Sequence, residues 1–356
     1  MRPTPVVVVT SLDPLLRDAA ATNLLCDLPA AWVLRHDLAP DGVLHRTVYD
    51  IGGVRERAHS VLDHGCLTCA VREDVLPTLS RLLEPANRPD AVVLALPVTA
   101  GAAGVHRALN PTRPGAAPRA VATGVVAAVD PATLLGDLFG DDLLAERGVG
   151  LSADDRRAVG EALVEQVEFA DVVAVPTTPG ARQGGVLAHL IAAQTTIKPI
   201  DVLDVHALLH ARRMDGDPRG DLLQASPTGA PDGDGVWTLD LRSPRALHPE
   251  RLLTVLEVLA IGPLRGRGVF WLPTRPDTVC AWNGAGGQLS VGSVGRWGHE
   301  RRTHLVITGV DHDPQPLRRA FHDALLTDAE TSAGPSRWTG RPDGLDAWLG
   351  ESRMSA

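Results

Sequence analysis

The chain has 356 residues, of which 44% are hydrophobic and 3% aromatic, and its formal net charge is −9. That length and apolar content suit two domains with cores of Val, Leu and Ala, and the acidic balance argues against a non-specific binder of DNA or other polyanions. With four cysteines (Cys26, Cys66, Cys69 and Cys280), no leader-like segment and no apolar run near the ~20 residues of a membrane span, a disulfide scaffold and a membrane role are both excluded, and a soluble cytoplasmic protein is expected.

The valine run at 6–9 predicts a buried parallel strand. Residues 12–25 then read as a helix. Further buried strands are predicted at 91–96, 121–129, 171–175 and 196–202, with a helix over 154–169 before the fourth of the five. Strands alternating with helices imply an α/β domain over 1–210, a mostly parallel sheet with helices on both faces. Residues 111–118 read as a loop. Residues 211–235 are rich in Gly, Pro, Asp and Ser and read as a linker. A second domain over 236–328 opens with an alternating strand at 236–241 and an amphipathic helix at 249–260. Short strands near 268–272, 278–283, 287–292 and 305–308 follow, and a helix over 315–326 closes a small α+β unit. Residues 329–356 read as a mostly disordered tail with one short helix near Trp348.

Residues 65–74 read Gly65-Cys66-Leu67-Thr68-Cys69-Ala70-Val71-Arg72-Glu73-Asp74. This segment resembles the Gly-Cys-x-Cys-Cys metal-binding segment of the CobW-like GTPases, a metallochaperone group of the CobW/HypB/UreG family, with Thr68 at the middle cysteine. The resemblance covers about 1–210 and 236–328. In the second unit it is carried by Ser243-Pro244-Arg245-Ala246-Leu247-His248-Pro249-Glu250-Arg251-Leu252, by Phe270-Trp271-Leu272-Pro273-Thr274-Arg275-Pro276, by the run from Trp282 to Leu289, and by 303–309. It implies a P-loop-NTPase-like fold followed by a CobW C-terminal domain, with His248 as the residue that leads into a helix.

A working phosphate loop reads Gly-x4-Gly-Lys-Ser/Thr: its glycine N–H groups surround phosphate, its lysine neutralises charge and its hydroxyl binds Mg²⁺. In the resemblance, the glycine positions hold Ser11, Pro14 and Leu16, the lysine position Arg17 and the hydroxyl position Asp18. Pro14 has no N–H to donate, Leu16 is bulky where backbone must approach phosphate, and Asp18 places negative charge beside a triphosphate. Arg17 as a surviving phosphate contact is the contrary reading. The only lysine, Lys198, lies in nothing resembling a phosphate loop. Ala95 stands at the family's strand glutamate. The run 168–175 matches the approach to the family's guanine-reading Asn-Lys-x-Asp but continues Pro176-Thr177-Thr178-Pro179, without the Asp. The resemblance therefore implies weak or absent GTP binding, little or no GTP hydrolysis and no catalytic residue.

Cys66 and Cys69 have the spacing of half a tetrahedral zinc site. His59, Asp63 and His64 precede them, so Cys66, Cys69 and His64 form a conceivable zinc ligand set. Inert packing and a redox pair at a helix start are the other two readings. Cys26 and Cys280 read as buried thiols. His206 and His210 share one helix face and read as a solvated pair, and Gly286-Gly287 as a turn. The paired carboxylates Asp141-Asp142 and Asp154-Asp155 read as helix-dipole partners.

The Gly-Cys-Leu-Thr-Cys form and the altered loop make the chain similar to a zinc-responsive branch of the family. That likeness implies an adaptor recruiting a hibernation factor to the small ribosomal subunit, with arginines at 212–213, Arg265, Arg267, Arg296, Arg301 and Arg302 as candidate phosphate contacts. A zinc metallochaperone or insertase is the alternative.

Overall fold

The computed structural model describes residues 2–39, 41–62, 67–84, 88–110, 119–152, 155–211 and 218–350. An eight-stranded sheet organises the first part: β1 (Thr4–Ser11), β2 (Trp32–Leu38), β3 (Val43–Asp50), β4 (Gly53–Val61), β5 (Val92–Ala95), β6 (Ala120–Ala128), β7 (Val172–Val175) and β8 (Thr196–Pro199), in spatial order β4-β3-β2-β5-β1-β6-β7-β8. The strands from β2 to β8 in that order run parallel, and β3 and β4 add an antiparallel edge. The valine run explains the centre. Successive side chains of a strand alternate between faces, so Val6 and Val8 enter one core with Leu34, Leu79 and Leu94, while Val7 and Val9 enter another with Leu24, Val33 and Val93. The helices Pro14–Asp27 and Val205–His210 cover the second face, and Leu76–Leu82 and Ala103–Ala108 the first. All five predicted strands exist, and the fold is the expected mostly parallel α/β sheet.

The two strands at 43–61 escape the pattern reading for a physical reason. β4 has no buried residue and β3 buries only Leu44 and Val48. A hairpin at a sheet edge needs no strong apolar alternation, so it carries none. The helix expected over 154–169 is shorter, Val159–Val167. Asp155 is instead engaged by Arg157, at 2.9 Å between Oδ2 and Nη2, and by the Leu151 N–H at 3.0 Å, which holds this stretch irregular. The loop at 111–118 and Asp154 lie outside the described residues.

The second sheet is antiparallel throughout: β9 (Val236–Ser243), β10 (Leu264–Phe270), β11 (Thr278–Ala285), β12 (Gln288–Arg296) and β13 (Thr303–Val310), in order β12-β11-β10-β13-β9. The helices Pro249–Ala260 and Gln315–Ala324 pack on it through Leu252, Leu259 and Phe321 against Phe270 and Leu305. Gly286 and Gly287, at φ +59° and +67°, make the tight turn between β11 and β12 that left-handed residues permit.

The tail from 329 to 350 is folded, contrary to the disorder expected of it. Trp338 and Leu345 are buried, and Asp343 forms a two-oxygen pair with Arg275 at 2.7 and 3.2 Å while accepting the Thr274 hydroxyl at 2.9 Å. These few apolar and charged residues are too widely spaced to show periodicity, so the composition conceals the packing. Residues 351–356 lie outside the described residues.

The two sheets are held together by a close approach and a buried charge pair. The Gly286 N–H donates to Leu138 O at 3.0 Å, and a side chain at Gly286 would meet Ala158 Cβ at 2.9 Å and Gly140 O at 3.1 Å. Beside it, Glu168 is buried and receives Arg265 in bidentate fashion at 2.7 and 2.9 Å, with Arg267 at 3.2 Å. Burial alone would raise the Glu168 pKa, but the two guanidinium groups bring it below the usual range. The connecting segment packs as well: Arg219 reaches Asp171 at 2.6 Å, and Arg302 donates to Leu223 O at 2.7 Å.

Candidate functional site

β1 delivers Ser11 to the carboxyl edge of the parallel strands, where a helix begins. In open α/β sheets that edge is where ligands bind, and helix N-termini attract anions there. In this chain the loop bonds to itself. The Ser11 hydroxyl donates to Ala128 O at 2.7 Å and accepts the Asp13 N–H at 3.0 Å. Asp13 caps the helix, its Oδ1 accepting the N–H groups of Leu15 at 2.6 Å and Leu16 at 3.3 Å. The anion seated on this helix end is thus a side chain of the loop itself, and Pro14 contributes no N–H beside it.

Arg17, at the family's lysine position, is 1% exposed. A guanidinium has five N–H donors, and five contacts take them. Nε bonds Asp18 Oδ1 at 3.0 Å. Nη1 bonds His36 O at 3.2 Å and Leu96 O at 3.0 Å. Nη2 meets Asp18 Oδ1 at 2.9 Å and Asp37 Oδ1 at 2.7 Å. Arg35 closes a four-membered charge ring, with Nη1 on Asp18 at 2.9 Å and Nε on Asp37 at 3.1 Å. Arg17 therefore serves β2 and β5, and its donors point into protein. Asp18, at the family's Mg²⁺-binding hydroxyl position, is held by two arginines.

Two residues that sequence reasoning missed fix the same region. Gln166 is fully buried, and its Nε2 donates to Ser11 O and Ala100 O, each at 3.1 Å. Thr99 follows β5 at φ +71°, a costly backbone region for a β-branched residue. Its N–H reaches Ser11 O at 3.1 Å, and Arg157 Nη1 reaches its carbonyl at 3.3 Å. Neither carries a sequence signal, because a lone Gln in a helix and a lone Thr in a turn are ordinary. Ala95 is buried and offers no carboxylate. After β7, Pro176, Thr177 and Thr178 are exposed.

The cysteine segment starts with a helix at Leu67–Ala70, widens to a π-turn at Val71–Val75 and continues as Leu76–Leu82. Pro77 explains the widening. It has no N–H and would clash with the carbonyl four residues back, so the Leu76 N–H reaches the Val71 carbonyl instead, five residues back. Cys69 is buried with Leu44, Leu62 and Ala70, and its Sγ lies 3.9 Å from Arg72 Nη2. Apolar burial disfavours a thiolate at Cys69 and the Arg72 guanidinium favours one, although Arg72 is itself paired with Glu73 at 2.6 Å. Cys66, His64 and Asp63 lie outside the described residues. Among the described residues, no group of three or more His, Cys, Asp or Glu is arranged to hold a metal.

A charged chain connects this segment to the sealed loop. Arg17 bonds the His36 carbonyl at 3.2 Å, and the His36 ring lies 2.8 Å from Asp74 Oδ1 on the π-turn. Arg46 then bonds Asp74 at 2.5 Å and Glu56 at 2.7 Å. Burial would raise the Asp74 pKa, but His36 and Arg46 outweigh it and hold the carboxyl at about 2. Thr68, at the family's middle cysteine, lines a cleft of about 510 Å³ between the domains, together with Arg107, Glu165 and Phe169. Burial pushes Glu165 upward there, with Glu161 and Asp155 adding to the rise and Arg157 opposing it.

The remaining candidates separate. Cys26 is exposed, because it sits on the outer side of its helix. Cys280 is buried, and burial pushes its thiol up to about 12. His206 and His210 are exposed, as expected of a solvated pair. His248 caps the helix Pro249–Ala260 and packs edge-on against Trp338. Arg265 is 3% exposed and committed to Glu168, so it is withdrawn as a phosphate contact. Arg301 lies over Trp271, and residues 212–213 lie outside the described residues. Among the described residues no helix is long and apolar enough to cross a membrane.

Two family models match. "CobW/HypB/UreG, nucleotide-binding domain" matches residues 49–201, and "Cobalamin synthesis protein cobW C-terminal domain" matches 236–325. Zinc chaperone Rv0106 of Mycobacterium tuberculosis is 30% identical over 329 residues, covering 80% of this chain and 78% of that protein. Zinc-regulated GTPase metalloprotein activator 1 of Dictyostelium discoideum is 23% identical over 331 residues, covering 78% and 68%. Among solved structures, Zn(II)-bound YjiA GTPase from E. coli is similar at a TM-score of 0.38 and 14% identity, covering 91% of this chain and 99% of that one.

Proposed function

The chain belongs to the CobW/HypB/UreG family, and from that premise we propose that it is a zinc-handling protein of the metallochaperone kind that works outside the GTPase cycle. One observation carries the second half of this reading. All five guanidinium donors of Arg17 and the anion position of the helix end are taken by groups of the protein itself. Admitting a triphosphate means turning the buried Arg17 guanidinium away from all of its partners and bringing phosphate charge beside Asp13 and Asp18. GTP binding is therefore weak or absent. The match to the nucleotide-binding model begins at residue 49, beyond the altered loop, in keeping with this.

The zinc half is supported by the names of the relatives and by the setting of Cys69. In this reading Cys66, Cys69 and His64 hold zinc. The metal would draw the cysteine segment into one conformation, and the protein's own residues supply a dry pocket and the Arg72 guanidinium beside the sulfur. Transfer then depends on docking to an acceptor, with no nucleotide switch. Zinc titration of the purified chain tests this. One tight equivalent, lost in Cys66→Ser and Cys69→Ser variants and unchanged by GTP, is expected; no thiol-dependent zinc binding overturns it.

A second reading is the ribosome-associated adaptor that brings a hibernation factor to the small subunit. The interdomain clamp favours it. Glu168 with Arg265, and Gly286 against Ala158, fix the domains as one surface, which suits a scaffold. Co-sedimentation with ribosomes from zinc-starved and zinc-replete cells separates the readings: zinc-dependent association supports the adaptor, and absence from ribosomal fractions in both removes it.

A further inference from the structure

The β3–β4 hairpin has two unlike faces. One covers the cysteine segment through Leu44, Arg46 and Glu56. The other is open, and the strand register places Asp37 of β2, His45 of β3 and His59 of β4 side by side across it. Directly paired residues share a face. Both histidines are exposed, their ring centroids are 6.4 Å apart with planes tilted 42°, and neither ring makes a hydrogen bond among the described residues. Two imidazoles sharing one zinc ion at 2.0–2.1 Å per nitrogen bring their centroids to about 5–6 Å. Small rotations of two exposed side chains on a rigid hairpin reach that geometry.

We propose that His45 and His59 form a second, exchangeable zinc site on the open face of the hairpin, separate from the cysteine segment. The ligands are two neutral imidazoles, and water completes the coordination. Asp37 is the third residue of the row, but its carboxylate is committed to Arg17 at 2.7 Å and Arg35 at 3.1 Å, so it adds field without ligating. Arg57, opposite Thr47 on the same face, opposes the cation. Two neutral ligands, open solvent and a nearby guanidinium make a weak site from which metal leaves readily. The face that carries His45 and His59 is opposite to the one that covers Cys69 through Leu44, so the site stands independently of the zinc-handling reading of the cysteines.

The test uses the full chain carrying Cys66→Ser and Cys69→Ser, titrated with zinc alone against a chromophoric competitor at pH 7.5. One exchangeable equivalent is expected to remain, with affinity falling at least tenfold on adding His45→Ala or His59→Ala, and unchanged on adding His206→Ala with His210→Ala. No zinc binding in the chain carrying Cys66→Ser and Cys69→Ser overturns the site, as does binding that survives His45→Ala with His59→Ala or is lost with the helical pair. The unmodified chain is titrated in parallel. Absence of a thiol-dependent equivalent there counts against the proposed function alone, because the histidine equivalent is read in the background lacking Cys66 and Cys69. Circular dichroism of each variant confirms the fold, which exposed hairpin residues do not support.

Discussion

Arg17, in the first turn of the helix Pro14–Asp27, meets Asp37 of β2, Nη2 to Oδ1, at 2.7 Å. In a working phosphate loop the residue at this position points at phosphate. The change of direction turns a ligand-binding cation into a structural one. It ties the first helix to β2, and through the His36 carbonyl it joins the chain of contacts that reaches Asp74 on the π-turn after Cys69.

Replacing Arg17 should therefore damage the fold without changing any nucleotide-dependent property. Arg17→Ala removes a buried guanidinium and leaves the His36 and Leu96 carbonyls without their donor and the part-exposed Asp18 and Asp37 without their shared partner, and a loss of about 2–3 kcal/mol is expected from urea unfolding. Arg17→Lys should recover only part of this loss, since one ammonium cannot replace five fixed donors.

Glu168→Gln tests the clamp between domains. It leaves Arg265 buried without its charge partner, and a destabilisation of about 3 kcal/mol or more is expected. Hydrogen exchange should rise at β10 and in the connecting segment ahead of the sheet centres. Uniform exchange across the chain would show that the pair does not hold the interface.

The Asp74 carboxyl sits at about 2 in the folded chain against an ordinary 3.8. The contribution of its contacts with His36 and Arg46 is fully present above about pH 4 and is lost as pH falls through 2, on the order of 2 kcal/mol in all. Acid unfolding followed by circular dichroism should show this dependence, and Asp74→Asn should flatten that part of the curve.

Removing residues 335–356 strips Trp338, Asp343 and Leu345 from the second domain and leaves Arg275 without its buried partner. The truncated chain should melt at markedly lower temperature in calorimetry, by an amount equivalent to about 3–5 kcal/mol. An unchanged melting point would mark the tail as incidental to the fold.

Much of the architecture was legible because buried parallel strands cannot disguise themselves: the valines at 6–9 and the apolar run at 91–96 have no other use. The hairpin at 43–61 was not, because its stability comes from Arg46, Glu56 and Asp74 reaching across elements. The altered loop was legible residue by residue, but the role of Arg17 was not. Whether an arginine contacts phosphate or fills a core depends on Asp37 and the His36 carbonyl, which lie about twenty positions away. The tail was misread for a similar reason, since its order rests on a few isolated contacts such as Asp343 with Arg275.

The most direct test of zinc handling without a nucleotide switch is isothermal calorimetry of the full chain with GTP and Mg²⁺, followed by zinc titration of the same sample. The account predicts no measurable heat of GTP binding and a zinc affinity that is the same with and without GTP. Saturable GTP binding at micromolar concentrations that shifts zinc affinity would contradict it.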